Sequence, residues 1–108
     1  MISNNMVQAI SSADSYPHIL RVGVFGSYAR NEESIASDLD ILVEYDDSSD
    51  DFIDDLGSFM EDMERQIKSE IGYVTMKGLM DSTNETVKRD ILNDVQWIYI
   101  AEVKPKNK

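Results

Sequence analysis

The 108-residue chain reads as one domain, 1–108, with a single hydrophobic core, because 42% of its residues are hydrophobic and no composition shift marks a second unit. It has no cysteine, no apolar run near the roughly 20 residues that span a membrane, and no basic-then-apolar leader, so disulfide frameworks, thiolate metal sites and membrane association are excluded and a cytoplasmic protein is expected. Its formal charge of -11, from 21 acidic against 10 basic residues, repels nucleic-acid backbones and argues against direct binding of DNA or RNA.

Met6, Val7, Ile10 and Ala13 recur at helical spacing after Ser3, which predicts a first helix over 4–14, broken at Tyr16-Pro17. Residues 19–25 form a β-rich apolar run that stops at Gly26. A short helix is expected from Ser27, a good N-cap, with Asn31 suited to a left-handed exit. Residues 38–45 read as a second strand, with Leu39, Ile41 and Val43 on one face and Asp38, Asp40, Leu42 and Glu44 on the other. An acidic stretch follows: residues 46–64 hold nine acids, either a solvated surface or a field that steers a basic partner.

Phe52, Ile53, Leu56, Phe59, Met60, Met63 and Ile67 trace a long amphipathic helix. Residues 71–76 are expected as a third strand, 84–94 as a helix with Val87, Ile91 and Leu92 inward, and 95–103 as a last strand before a frayed Lys-rich tail, 104–108. The sum is a small α/β (α+β) domain of about four strands and three main helices.

The chemistry lies around Gly26. Glycine at the end of a strand lets a phosphate approach the backbone, and Ser27 adds a hydroxyl and a backbone N–H aimed at an anion. Asp38 and Asp40, two apart on one strand, place both carboxylates on one face, roughly 6–7 Å apart. Such a pair suits a hard cation such as Mg²⁺, which bridges readily to phosphate. An anionic nucleotide on so acidic a chain needs that cation.

Gly26-Ser-Tyr-Ala-Arg-Asn-Glu-Glu-Ser-Ile-Ala-Ser-Asp-Leu-Asp-Ile-Leu-Val, residues 26–43, resembles the signature of the DNA polymerase β-like nucleotidyltransferase superfamily. The short chain is similar to the minimal nucleotidyltransferases, MntA-like antitoxins that accompany HEPN-domain toxins. The resemblance covers about residues 18–102 and is specific over 25–43. It implies a mixed sheet flanked by helices and a Mg²⁺-ATP site with Gly26, Ser27, Arg30 and Ser37 toward the nucleotide. Asp38 and Asp40 would be both metal ligands and catalytic residues. It also implies transfer of AMP to a tyrosine of the HEPN ribonuclease toxin, which silences it, and allows a hetero-oligomer with that toxin.

The chain departs from the pattern twice: Asn31 stands where the family commonly has Gly, and Gly72 stands where the third carboxylate is expected. Two readings therefore stay open, a transferase with a reduced site and a non-catalytic antitoxin that acts by complex formation. Transfer to a small molecule ranks below both, since no second domain builds an acceptor pocket. Among single residues, Arg30 reads as a phosphate contact or a partner of nearby acids, and Ser37 as a site contact or a turn-former. Glu44 is expected in water at its strand end, His18 in a structural role, and Trp97 and Tyr99 in packing or a partner contact.

Overall fold

The computed structural model describes residues 1–102; Val103 and the tail 104–108 lie outside the described residues. The first helix, α1 (Asn4–Ser11), opens where the Ser3 hydroxyl accepts from the Met6 N–H and so satisfies one of the helix's orphan donors. It is shorter than the 4–14 expected. The Ser12 hydroxyl bonds back to the Ala9 carbonyl, and the chain tightens into a 3-10 turn at Ser12–Ser15. Met6, Ala9, Ile10 and Ala13 are buried as their spacing requires, while Val7 faces solvent.

Strands β1 (Ile19–Phe25), β2 (Leu39–Tyr45), β3 (Ile71–Thr75) and β4 (Gln96–Ile100) form one sheet in the order β3-β2-β1-β4. β1 is antiparallel to β2 and to β4, and β2 is parallel to β3. This is the small mixed sheet with flanking helices that the sequence led us to expect. Strand alternation sends Val22, Val24, Leu39, Ile41 and Val43 into a large core with Ile10 and Phe59. Leu42 points the other way, into a smaller cluster with Met76 and Leu79.

The large core is closed by α2 (Phe52–Gln66), which buries Phe59 and Met63 and leaves Ile53 exposed. Asp54 and Asp55 in its first turn and Arg65 in its last complement the helix dipole. On the other face, β3 ends at Thr75, whose hydroxyl accepts from the Gly78 N–H and opens a helix that the sequence reading did not foresee, α3 (Met76–Asp81). Met76 therefore belongs to a helix and not to the third strand.

Next comes α4 (Glu85–Asp94), capped by the Asn84 side chain on the Val87 N–H. Of its expected inward set only Ile91 is half-buried; Val87 and Leu92 are 45% and 39% exposed. The small cluster cannot cover a whole helix. Ile91 and Val95 make the contact, Val87 lies one turn beyond it, and Leu92 is rotated roughly 100° away. Gly23 on β1 permits this approach, because a Cβ there would lie 2.5 Å from Val95 Cγ2. The last strand starts at Gln96 and not at Val95, and a bulge opposite Val22 and Gly23 puts Trp97 on the small cluster while Ile98 and Tyr99 join the large core.

Candidate active site

Phe25, the last residue of β1, pairs with Asp40 across the antiparallel ladder, and Gly26 follows with φ 75°. A Cβ at Gly26 would sit 2.3 Å from Asp40 Oδ2. Glycine is thus demanded twice, by the left-handed backbone and by the carboxylate lying against it. The chain then wraps into a single turn: the Arg30 N–H donates to the Gly26 carbonyl (3.0 Å), and the Glu32 N–H to the Ser27 carbonyl (2.8 Å).

The short helix expected from Ser27 does not form. Asn31, at φ 63°, takes the left-handed exit anticipated for it and stops propagation after one turn. The N–H groups of Ser27, Tyr28 and Ala29, and the Ser27 hydroxyl, have no hydrogen-bond partner among the described residues. They are the unsatisfied donors that an anion binds at the head of a helical turn.

Asp38 is exposed just before β2, and Asp40 is half-buried as its second residue. Neither carboxylate has a hydrogen bond or ion pair among the described residues. Burial, then the neighbouring Asp38 charge, pushes the Asp40 carboxyl above the usual carboxylate range, with Arg30 pulling against them. A desolvated, like-charged carboxylate of this kind is relieved by a cation.

Arg30 itself is held by Asp94 (2.6 Å) and Glu32 (3.0 Å), the acid-pairing alternative. The Ser37 hydroxyl accepts from the Ser34 N–H (2.8 Å) and closes the turn that delivers Asp38, which is its turn-forming role. Glu44 is not free in water: Arg21 grips it at 2.7 Å while stacking over the Trp97 ring. The lone histidine is structural, its Nδ1 2.7 Å from Asp55 Oδ2.

On the β3 side, Asp40 pairs in parallel register with Gly72, and a Cβ there would lie 3.1 Å from Asp40 Oδ1. The place where the resemblance expects a third acid is therefore beside Asp40, and it carries no side chain. Glu70 lies two residues back and gives its carbonyl to the Leu39 N–H (2.8 Å). Among the described residues no group of three or more His, Cys, Asp or Glu converges to hold a metal.

The donor set nonetheless fits one Mg²⁺, which takes one or two carboxylates and completes its shell with water and substrate phosphate. Asp38 and Asp40 would hold it, next to the open N–H groups of the turn.

The comparisons with known proteins bear on this arrangement. Residues 4–98 match the family model described as a nucleotidyltransferase domain. The chain belongs to the nucleotidyltransferase domain family. Two Methanocaldococcus jannaschii proteins, both described as candidate protein adenylyltransferases, are similar to it. One is 30% identical over 71% of this chain and 74% of its own length. The other is 34% identical over 70% and 75%.

Two solved structures share the fold. A structure described as a candidate minimal nucleotidyltransferase superposes with a TM-score of 0.63 at 24% identity, over 83% of this chain and 86% of its own. A toxin–antitoxin determined with AMP-PNP superposes with a TM-score of 0.62 at 17% identity, over 93% and 76%.

Two contacts of this nucleotidyltransferase carried no sequence signal. Asp94 ends α4 and reaches Arg30, and Gln96 opens β4 and donates its amide N–H to the Ala29 carbonyl at 2.7 Å. Both residues are far from the turn in sequence, so no local pattern could announce them. A cavity of about 360 Å³ lies beside the turn, walled by Ile2, Tyr28, Ala29 and Gln96 among others; Asp38 and Asp40 are not part of its wall.

Proposed function

We propose that this nucleotidyltransferase transfers AMP from Mg-ATP to a tyrosine of a partner HEPN ribonuclease toxin in the cytoplasm, and so neutralises it. The observation that carries the reading is Asp40, which is desolvated, unpaired among the described residues, beside Asp38, and pressed against a glycine turn with three open N–H groups. Its relatives described as candidate protein adenylyltransferases, and its likeness in fold to a toxin–antitoxin determined with AMP-PNP, support the same direction.

The chain's own groups do the following. The N–H donors of Ser27, Tyr28 and Ala29 and the Ser27 hydroxyl receive phosphate oxygens, and Asp38 and Asp40 hold the nucleotide's cation. When bound, Mg²⁺ supplies positive charge that offsets the charge developing on the phosphates. The acceptor oxygen bonds to the α-phosphorus, the bond from that phosphorus to the bridging oxygen breaks, and pyrophosphate leaves. The phenolic proton passes to solvent. A phenol with pKa about 10 needs less help to ionise than an alcohol does, so a tyrosine is the hydroxyl acceptor that best tolerates the missing third carboxylate. The reading involves no direct nucleic-acid contact, and among the described residues no helix is long and apolar enough to cross a membrane.

Gly72 favours a second reading: an antitoxin that silences its partner by complex formation and keeps the pocket as a vestige. Loss of a general base lowers rates about 10²–10⁴-fold, enough to leave binding without useful turnover. Incubation with labelled ATP, Mg²⁺ and the partner toxin, for wild type and for Asp38→Ala/Asp40→Ala, separates the two. Label on the toxin that vanishes in the double variant is the expected result. Equal neutralisation by both proteins, with no label, overturns the transferase in favour of the binder.

A further inference from the structure

The turn of residues 26–32 is a poor structure by itself. It has one helical turn, two residues at positive φ, and no regular helix behind it to fix its direction. Its phosphate-facing N–H groups can act only if their orientation is set from outside, because donors aligned before the ligand arrives avoid an ordering cost on binding.

Two side chains reach it from the junction of α4 and β4. Gln96 donates to the Ala29 carbonyl (2.7 Å), and Asp94 takes the Arg30 guanidinium (2.6 Å). These bonds grip consecutive residues of the turn, one through the main chain and one through the side chain. The junction is itself anchored: Val95, between the two, packs on the small core, and the bare Cα of Gly23 lets it lie against β1.

We infer that Gln96 and Asp94 are positioning residues for the nucleotide site: they hold the turn so that the Ser27, Tyr28 and Ala29 N–H groups converge on the phosphates. Gln96 supplies a donor to a backbone carbonyl, so its side-chain N–H, and not its size, matters. The carboxylate of Asp94 holds the Arg30 side chain and, through it, the end of the turn. The inference rests on the Mg²⁺-nucleotide reading of the site.

The test uses the whole chain and four variants: Gln96→Ala, Gln96→Glu, Gln96→Lys and Asp94→Ala. Affinity for Mg²⁺ with a non-hydrolysable ATP analogue is measured by calorimetry, and exchange of the Arg30, Asn31 and Glu32 amides, whose hydrogen bonds close the turn, is followed without ligand. The Ala and Glu variants at 96 and Asp94→Ala should bind about tenfold more weakly and exchange the turn amides about tenfold faster. Gln96→Lys, which restores a long N–H donor, should return both toward wild type, and melting temperatures should stay together.

Unchanged affinity in all variants, or losses that follow melting temperature and ignore the Lys rescue, overturns the inference. A wild-type protein that binds no Mg²⁺-nucleotide overturns the functional reading instead. The exchange measurement still decides whether the junction holds the turn, and unchanged exchange overturns that part.

Discussion

On the face of the sheet covered by α1 and α2, two half-buried acids are partnered: Asp55 bonds the His18 backbone N–H and ring, and Asp62 bonds the Tyr16 hydroxyl and Arg65. On the opposite face Asp40 has no such partner among the described residues, although it is partly desolvated. The two settings move the carboxyls in opposite directions. Burial of Asp55 opposes its ionisation, yet the His18 N–H and ring together outweigh it and hold the carboxyl below the usual range. The Tyr16 hydroxyl, then Arg65, does the same for Asp62. Asp40 is raised. A half-buried acid bonded from within serves the fold, whereas half-buried Asp40, left without such a bond among the described residues, is the acid on which the proposed cation site rests.

The largest effect that tests this contrast is on activity. Asp40→Ala should lower AMP transfer by about 10³-fold or more, since charge offset by a held cation is worth several kcal/mol. The same variant should melt no lower than wild type without ligand, because the lost carboxylate was not bonded. A marked fall in melting temperature would mean that Asp40 supports the fold after all.

Phe59→Ala samples the other face. Removing a fully buried ring from the large core should cost about 3–5 kcal/mol in denaturant unfolding. Leu79→Ala, in the thinner cluster, should cost less, toward about 2 kcal/mol. Equal losses would erase the distinction between a thick, structural face and a thin one.

Gly26→Ala sits between these extremes. A left-handed backbone costs an L-residue about 1–2 kcal/mol, and the added methyl must displace Asp40 Oδ2 from 2.3 Å. Stability should fall by about that amount, and nucleotide affinity by more than stability alone explains. Titration of Mg²⁺-nucleotide against folded variant measures the second part.

How far the sequence carries this picture follows from the range of each interaction. Gly26 and Asp40 were legible because strand alternation and a strand-ending glycine are local rules, and the register of β1 with β2 brings them together; Asp38, expected on the same strand, lies one residue before it. Phe59 and Met63 were legible from helical spacing for the same reason. The α3 helix was missed, though Thr75 before Met76 is a usable cap signal. Val87 and Leu92 were misplaced because spacing shows that a helix has an apolar side but not whether the layer beneath is wide enough to cover it. The grip of Asp94 and Gln96 on the turn depends on the bulge and on Gly23, and no window of neighbouring residues contains those facts.

A smaller effect is expected from returning an acid to the bare position beside Asp40. Gly72→Asp places its Cβ 3.1 Å from Asp40 Oδ1, close enough for a small adjustment and for a shared cation. With Mg²⁺ present, transfer should rise by about tenfold, short of the ~10²–10⁴-fold of a fully aligned general base. Without Mg²⁺ the protein should be less stable, since a third carboxylate adds to the repulsion between Asp38 and Asp40. A variant that is slower with Mg²⁺ as well would show that the bare strand serves the acceptor and not merely a lost base.

The smallest effect is the dependence of stability on pH, where the two faces should oppose each other. Asp40 is raised in the folded state, so its contribution is fully present below the ordinary carboxylate pKa and is lost as pH rises through the raised value. Asp62 is lowered, so its contribution is present above the ordinary carboxylate pKa and is lost as pH falls through the lowered value. Melting curves of wild type, Asp40→Asn and Asp62→Asn between about pH 3 and pH 7 span both windows. Asp40→Asn should gain on wild type as pH rises, and Asp62→Asn should lose ground over the same interval. Adding Mg²⁺ with nucleotide should cancel the first trend, because a cation removes the reason for Asp40 to resist ionisation, and should leave the second untouched. If the Asp40→Asn gap stayed flat with pH, the carboxylate would already be satisfied within the protein, and the opposition between the faces would fail at the residue on which the functional reading depends.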